Sequence, residues 1–214
     1  MRLPFAAFSL SVLACAYTLP QAPPAAMKDI ASIAARDAHE GLLIAAEPLL
    51  GAEEYKTRFG KKNPYESGIV AIDVYFRNDE DVPIQLELSE IRLTVSFPGQ
   101  ALQDIPALDA RTVAAEVYAE KPKDPTKRPR FPIPGIGNSK PGKDFVELEN
   151  KLQQGMLKSD MIPGRGTVHG LFYFDVDGNF AWIAMSKFYV PNLKRVPTGK
   201  PLLFFEVPFS SAGS

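Results

Sequence analysis

Cysteine and histidine are almost absent from this chain. Its 214 residues include one cysteine, Cys15, and two histidines, His39 and His169. A single thiol cannot form a disulfide within the chain, so packing must stabilise the fold. The histidines lack the spacing of a metal site, and a Ser-His-Asp triad would have to be built around only one of them. We therefore expect no metal, no cofactor, no catalytic residues and no enzymatic activity.

An excess of charge of either sign is also missing. The 24 Lys and Arg residues nearly balance the 25 Asp and Glu residues, which leaves a formal net charge of -1. This balance argues against general electrostatic binding of nucleic acid. The 20 prolines outnumber the 15 glycines, which favours β-structure with long connections, and the 14 phenylalanines are expected to fill its core.

The apolar run at the N-terminus is short. Pro4 to Ala14 follows the positively charged Arg2 and falls well below the roughly 20 residues of a membrane-spanning helix. A positive residue before a short apolar core is typical of an export signal. We expect residues 1–16 to form a signal peptide and the protein to be exported.

Two processing routes fit the end of this segment. Val12-Leu13-Ala14-Cys15 resembles the lipobox of bacterial lipoproteins, which implies lipid attachment at Cys15 and a membrane as partner, in the outer membrane or periplasm. Cleavage after Ala16 would instead discard Cys15 and release a secreted protein that begins at Tyr17. We favour the lipoprotein because the single cysteine lies at the right distance from the apolar core.

Residues 17–39 are expected to connect the N-terminus to the domain. Residues 18–26 are rich in Pro and Ala, a composition that predicts an extended, semi-rigid stalk. Met27–His39 is weakly apolar and is interpreted as a marginal helix or linker. The domain itself is predicted over residues 40–209.

Strand patterns dominate both ends of this domain. Gly68–Asn78 alternates large apolar residues with smaller or polar ones, the pattern of a strand buried on one face. Further strands are predicted at Gly41–Pro48, Ile84–Leu88, Ile91–Phe97, Thr167–Asp177, Lys187–Val190 and Pro201–Phe209. Ala52–Phe59 predicts a short helix closed by Gly60.

The middle of the chain, at about residues 100–161, is predicted to be an insertion. Asp109–Tyr118 has a short helical pattern, and Lys121–Gly142 is an expected exposed loop. A second helix is predicted to begin at Asp144, with Glu147 as its capping partner, and to pack on the sheet.

Short strands separated by turns favour an antiparallel sandwich. One shared core is predicted to contain most of the inward-facing strand residues. These are Val70, Ile72, Val74, Phe76, Ile91, Leu93, Val95, Phe172, Phe174 and Phe205.

Three segments together resemble the immunoglobulin-like domains of uncharacterised bacterial lipoproteins and secreted antigens. They are Phe76-Arg77-Asn78 with the turn to Pro83-Ile84, Ile91-Arg92-Leu93 ending at Pro98-Gly99, and Pro163-Gly164 before the strand to Val176. The resemblance covers about residues 68–97 and 162–207. It implies an antiparallel immunoglobulin-like β-sandwich and a cell-surface location, and the insertion has no counterpart in it. Together with the residue patterns, it predicts a mainly β fold, an immunoglobulin-like β-sandwich with an inserted loop and one packed helix. It implies no functional residues.

The clearest charge cluster lies in the predicted loop. It consists of Lys121, Lys123, Lys127, Arg128 and Arg130, with Lys140 and Lys143 beyond. Such a patch could bind an anionic polymer or an acidic envelope protein. It could equally be a solvated loop that its own charge repulsion and prolines keep open.

Other oxygen-rich segments are weaker candidates. Asp175–Asn179 and Asn78–Asp81 could hold a hard cation, but we expect both to be turns. Two carboxylate pairs could act as acid and base, although no spacing singles them out. These are Glu47 with Glu54, and Asp73 with Glu87.

The sequence therefore predicts an exported, membrane-anchored and non-enzymatic binding or structural module of the bacterial cell envelope. One alternative is a small-molecule carrier with a pocket between the sheet and the helix over Asp144–Met156. The other is a carboxylate-based envelope enzyme.

Overall fold

The structure, a computed structural model, describes residues 29–97, 99, 101–119 and 142–209. Some of the features expected from the sequence lie outside these residues. They are the signal peptide with Cys15, the Pro/Ala-rich stalk, and the basic cluster from Lys121 to Arg130.

The described chain is mainly β, with few helices. Its strands are β1 (Arg36–His39), β2 (Leu42–Leu49), β3 (Ile69–Asn78), β4 (Ile84–Gln85), β5 (Arg92–Val95), β6 (Gln103–Pro106), β7 (Met161–Ile162), β8 (Thr167–Asp175), β9 (Ser186–Val190), β10 (Lys194–Arg195) and β11 (Phe205–Pro208). The α-helices are α1 (Ala52–Phe59), α2 (Ala110–Tyr118) and α3 (Lys143–Gly155). Short 3₁₀ helices cover Ile30–Ser32, Pro64–Ser67, Leu88–Glu90 and Phe180–Met185.

These strands form three sheets in which every pair is antiparallel. The first sheet has the order β1-β2-β3-β8, and the second has the order β11-β9-β5-β6. The third sheet is small and has the order β10-β4-β7.

The first and second sheets share one hydrophobic core. All ten residues predicted for it are buried in a single cluster, which confirms the inward faces assigned to these strands. Phenylalanine rings meet edge to face across this core: the Phe172 and Phe188 ring centroids, on β8 and β9, are 5.3 Å apart. Such ring pairs add specific geometry to the burial of apolar area.

The outer face of β3 differs from the prediction, because it is buried as well. Ala71 and Tyr75, expected on a half-exposed face, are 0% and 7% exposed. A second core cluster packs α1, α2 and α3 on this face of the first sheet. Ile30 and Ile33 cover the other end of the same face, against Leu43, Ala45 and Tyr75.

Three local predictions are corrected at the ends of elements. The end of the supposed weak helix, Arg36–His39, is strand β1, because its backbone pairs with β2. Strand β2 continues through Pro48 to Leu49 rather than stopping at the proline. Only Ile84–Gln85 of the expected strand over Ile84–Leu88 pairs as a strand.

The segment predicted as an insertion contributes to both layers of the fold. Strand β6 completes the second sheet by pairing with β5, and α2 begins where the Asp109 side chain accepts the Thr112 N–H. Helix α3 packs on the first sheet as expected, through Leu148 and Leu152. It begins at Lys143 without a side-chain cap, so the expected start at Asp144 and its capping pair are wrong.

Tyr55 fastens α1 to the first sheet. Its hydroxyl donates to the Leu49 carbonyl at 3.1 Å and accepts the Ala71 N–H at 2.5 Å. Leu49 and Ala71 are register partners on β2 and β3, so the phenol bridges the last pair of this ladder. Burial raises the pKa of Tyr55, because the phenolate would lose its hydration.

Replacement of Tyr55 by phenylalanine tests this bridge. Tyr55→Phe should lower the free energy of unfolding by about 1–3 kcal/mol, because a buried N–H and a buried carbonyl lose their partner. Urea unfolding followed by circular dichroism measures the change. Tyr118→Phe, which removes the hydroxyl of a half-buried tyrosine on α2, should stay within about 0.5 kcal/mol. Equal effects of the two changes would contradict the bridge.

The shared core makes a second prediction. Phe76→Ala or Phe174→Ala should each lower the free energy of unfolding by about 3–5 kcal/mol, because a fully buried ring leaves a cavity. Leu102→Ala is the control, because this side chain is 67% exposed. Chemical denaturation of the three variants measures the contrast, and a loss below about 1 kcal/mol for both phenylalanines would refute the assigned core.

Candidate ligand-binding groove

A polar gap interrupts the apolar cover on the outer face of the first sheet. In the strand register, Glu47 of β2 lies opposite Asp73 of β3. Tyr75 of β3 lies opposite His169 of β8. The helix-packed cluster covers this face on one side of the gap, and the Ile30–Ile33 segment covers it on the other. Polar side chains therefore meet in the middle of a largely buried surface.

Asp73 is an enclosed carboxylate in this gap, with a side chain that is 19% exposed. One carboxylate oxygen, Oδ2, accepts the Tyr75 hydroxyl at 3.2 Å. The other, Oδ1, is buried without a hydrogen-bond partner among the described residues. Its nearest basic neighbour is His169 Nδ1, at 3.9 Å, which is beyond hydrogen-bonding distance. A buried carboxylate oxygen with free lone pairs calls for a donor.

His169 partly covers this carboxylate. Its imidazole stacks on the Tyr75 ring, with centroids 5.3 Å apart and planes 14° from parallel. The His169 side chain is 56% exposed, whereas that of Asp73 is 19% exposed. The imidazole is thus the exposed layer over an enclosed phenol and carboxylate.

An open groove of about 410 Å³ adjoins this pair. It is bounded by the C-terminal end of α3, the segment that follows it, and the edge of β8. The residues that line it are Arg58, Asp73, Gln154, Gly155, Met156, Leu157, Lys158, Ser159, Val168 and His169. Two of these, Arg58 and Lys158, are exposed cationic side chains.

A glycine in β8 allows the wall of the groove to form. Met156 bridges to Leu171 of β8 in the parallel direction, which brings the segment after α3 against the strand. A Cβ at Gly170 would overlap the backbone of Leu157. A glycine inside a strand often marks such a close approach of another backbone, so Gly170 is the sequence signal for this wall.

The charged residues near the groove change the pKa values of two tyrosines in the first sheet. Burial first, and then the neighbouring Asp73 carboxylate, raise the pKa of Tyr75 to about 12. Burial also raises the pKa of Tyr173 on β8, which lies opposite Ala71 in the strand register. The Arg58 charge lowers the pKa of both phenols, whereas the Asp73 charge raises it. Arg58 and Asp73 therefore lie over the same part of the sheet.

A second cleft, of about 490 Å³, lies between β1 and β11. Two carboxylates hold the C-terminal segment here: Asp37 accepts the Glu206 N–H at 3.0 Å, and Glu40, beside the cleft, accepts the Leu203 N–H at 2.6 Å. His39 lies between these carboxylates and stacks on Phe205 with centroids 3.7 Å apart. These contacts hold the edges of two sheets together.

The oxygen-rich turns serve structural roles. In the Asn78–Asp81 turn, Glu80 and Asp81 form ion pairs with Arg195 and Arg165, each at 2.8 Å, and these partners lower the pKa of both carboxyls. In the Asp175–Asn179 turn, the Asp175 carboxylate accepts the N–H of the residue two positions on, at 2.8 Å. Within residues 29–97, 99, 101–119 and 142–209, no group of three or more His, Cys, Asp and Glu side chains is placed to hold a metal ion.

The structure assembles a carboxylate pair that sequence spacing did not select. Asp73 faces Glu47 across neighbouring strands, whereas Glu87 accepts the Ser89 hydroxyl in a separate turn. Glu54 lies exposed on α1. The predicted lipid-attachment site and basic patch fall on residues that are not described, apart from Lys143, which is exposed at the start of α3. A charged residue inside the apolar run of β3 was the available signal for Asp73.

Comparisons with known proteins add little to this description. No protein-family model matches the sequence, and no curated protein matches it. A solved structure that matches in part is a functionally unknown protein from Listeria monocytogenes EGD-e, 12% identical over 81% of this chain and 81% of that chain, with a TM-score of 0.35. A likeness at this level carries no argument about fold or function. In the described part of the chain, no helix has the length and apolarity needed to cross a membrane.

The pKa of Tyr75 makes the groove testable. Asp73→Asn should lower this pKa from about 12 while leaving it above the ordinary 10.0, because burial remains when the carboxylate charge is lost. NMR titration with Cζ-labelled tyrosine measures the shift, and Tyr75→Phe assigns the signal. Asp104→Asn, on β6 of the second sheet, is the matched control.

The raised pKa of Tyr75 also makes the stability of the fold depend on pH in the alkaline range. The unfolded chain ionises Tyr75 near pH 10 and the folded chain near 12, so its contribution is complete below pH 10 and is lost as the pH rises to about 12. An unchanged Tyr75 pKa in Asp73→Asn would contradict the contact between these side chains.

Proposed function

We propose that this protein is an exported, membrane-anchored and non-enzymatic binding module of the bacterial cell envelope. The observation that carries the binding role is the groove beside Asp73 and His169, where a buried carboxylate oxygen has no hydrogen-bond partner within the described part of the chain. Solvent-shielded polar groups are normally satisfied, and exceptions call for an explanation such as a ligand. A concave site with a few convergent polar groups is the usual form of a small-ligand site.

An immunoglobulin-like topology is part of this proposal. In that fold, strands A, B and E share one sheet and strands G, F and C share the other, with C′ beside C in the variable type. The orders β2-β3-β8 and β11-β9-β5-β6 support an assignment to A-B-E and G-F-C-C′. The same assignment accounts for the two hairpin-like pairs, β5 with β6 and β9 with β11.

The helices then stand in place of strand D. Between β6 and β8, where D would lie, the chain forms α2 and α3, which pack on the outer face of the first sheet. This departure supports a module adapted for binding, because the added layer supplies one wall of the groove. The space between α3 and the sheet is filled by Leu148 and Leu152, so a carrier with an apolar pocket there is less well supported.

Export and anchoring rest on the N-terminal sequence. A lipid on Cys15 would make the membrane a partner and leave the domain on a Pro/Ala-rich stalk. The basic residues from Lys121 to Arg130 could then meet an anionic polymer or an acidic envelope protein. Nucleic acid is not among the proposed partners, because the net charge is -1.

Replacement of Cys15 tests the anchor. Cys15→Ser should abolish incorporation of a labelled fatty acid, because the acylated thiol is gone. The protein should then leave the membrane fraction or accumulate with its signal attached. Metabolic labelling and membrane fractionation of cells that express the full chain measure this.

Ser11→Ala, a small change in the same apolar run, is the control and should leave labelling intact. An intact mass that corresponds to an unmodified chain beginning at Tyr17 would establish the secreted alternative and rule out the anchor.

A further inference from the structure

We propose that the groove beside Asp73 binds a free α-amino acid with an apolar side chain, its ammonium group toward Asp73 and its carboxylate toward Arg58 and Lys158. This inference rests on the proposed binding role and names the ligand class of the same site. The groove must then offer an acceptor for the ammonium group, cations for the carboxylate, and apolar surface for the side chain of the ligand.

The acceptor end lies at the floor of the groove. Asp73 Oδ1 is buried without a hydrogen-bond partner among the described residues, and Glu47 adds a second carboxylate across the strand register. The C-terminal end of α3 also lines the groove, and its last carbonyls attract positive charge. A ligand ammonium group supplies the positive charge and the N–H donor that Asp73 Oδ1 lacks among the described residues.

His169 leaves a route to this floor. Its Nδ1 is 3.9 Å from Asp73 Oδ1, and its side chain is more than half exposed. The imidazole is thus stacked on Tyr75 without a hydrogen bond to the carboxylate. A ligand donor can displace it by a rotation of an exposed side chain, which costs little compared with a charge-assisted hydrogen bond.

The cationic end lies at the rim. Arg58 comes from the last turn of α1, and Lys158 comes from the segment after α3. Both are exposed and line the same groove as Asp73. Long side chains at an open rim can close on a carboxylate that is held from below. A ligand with only an ammonium group would leave these two cations unused.

The remaining lining is partly apolar. Met156, Leu157 and Val168 are half-buried and line the groove, together with Gln154, Gly155 and Ser159. A volume of about 410 Å³ is near the lower end of ligand sites, which span roughly 300–1,000 Å³. One amino acid with an aliphatic side chain fits within these dimensions.

Three probes separate the two charged ends. NMR titration of the purified full-length chain should show that L-leucine binds more tightly than L-leucinamide, which lacks the carboxylate, or N-acetyl-L-leucine, which lacks the ammonium group. The loss should be about tenfold or more for N-acetyl-L-leucine, because the buried contact to Asp73 is charge-assisted. It should be about two- to fivefold for L-leucinamide, because the rim is exposed.

Two substitutions should each remove the partner of one charged group of the ligand: Asp73→Asn for the ammonium group and Lys158→Met for the carboxylate. Asp73→Asn should weaken L-leucine and L-leucinamide about tenfold and leave N-acetyl-L-leucine within twofold. Lys158→Met should weaken L-leucine and N-acetyl-L-leucine about two- to fivefold and leave L-leucinamide unchanged. Asp104→Asn and Lys187→Met, on the second sheet, are the matched controls and should change neither pattern. Circular dichroism and thermal unfolding check that each variant is folded.

Each other outcome would overturn the proposal. Binding of N-acetyl-L-leucine that equals that of L-leucine would make this an anion site, and equal binding of L-leucinamide would make it a cation site. If no probe binds, or if Asp73→Asn and Asp104→Asn have identical effects, the groove is not a binding site for an amino acid. Because these measurements do not involve Cys15, they can fail while lipid labelling succeeds, and the anchor and the ligand are tested separately.

Discussion

The fold depends on one strand that must be covered on both faces. Strand β3 is central in the first sheet, and its ten residues Ile69–Asn78 are buried or half-buried throughout. Its inner face builds the core shared by the two large sheets, and its outer face needs α1, α2, α3 and the Ile30–Ile33 segment. Since an apolar sheet face exposed to water is unfavourable, the helical layer is a requirement of this strand rather than an accessory. The Tyr55 bridge, which joins α1 to the end of the β2–β3 ladder, keeps that layer in place.

The same constraint explains why a polar groove opens on the outer face of the first sheet. A strand buried on both faces favours apolar residues throughout, yet Asp73 lies in the middle of β3, facing Glu47 and beneath the edge of His169. The cover of helices stops short of this point, and Gly170 lets the chain after α3 form a wall beside it. A polar residue that breaks a local packing rule without a complete set of partners is where binding or catalysis is usually found. The groove thus follows from an incomplete cover over a buried strand.

Much of the inner architecture was predictable from periodicity. The alternation in Gly68–Asn78 and Ile91–Phe97 assigned the inward faces correctly, because side chains alternate between the two sides of any strand. The outward face of β3 was misassigned, since the same alternation does not distinguish water from a packed helix on the second side. The weak pattern of Arg36–His39 was misread as helical, because a short edge strand is defined by its pairing with β2 rather than by its own residues. The site was not predicted: Asp73 was considered as a possible acid–base partner of Glu87, but its neighbours come from β2, β8 and the segment after α3.

The sequence by itself determined the period of each strand, the apolar residues of the shared core and the charges available to a site, because these depend on local order along the chain. The predicted export signal and the proposed role of Cys15 also rest on the sequence alone, because such signals are linear motifs. Only the tertiary structure decided which strands are neighbours, that the outer face of the first sheet is covered, and that Asp73, His169, Arg58 and Lys158 line one groove. These residues are far apart in sequence, and burial on the second face of a strand is a property of what packs against it, which no local pattern records.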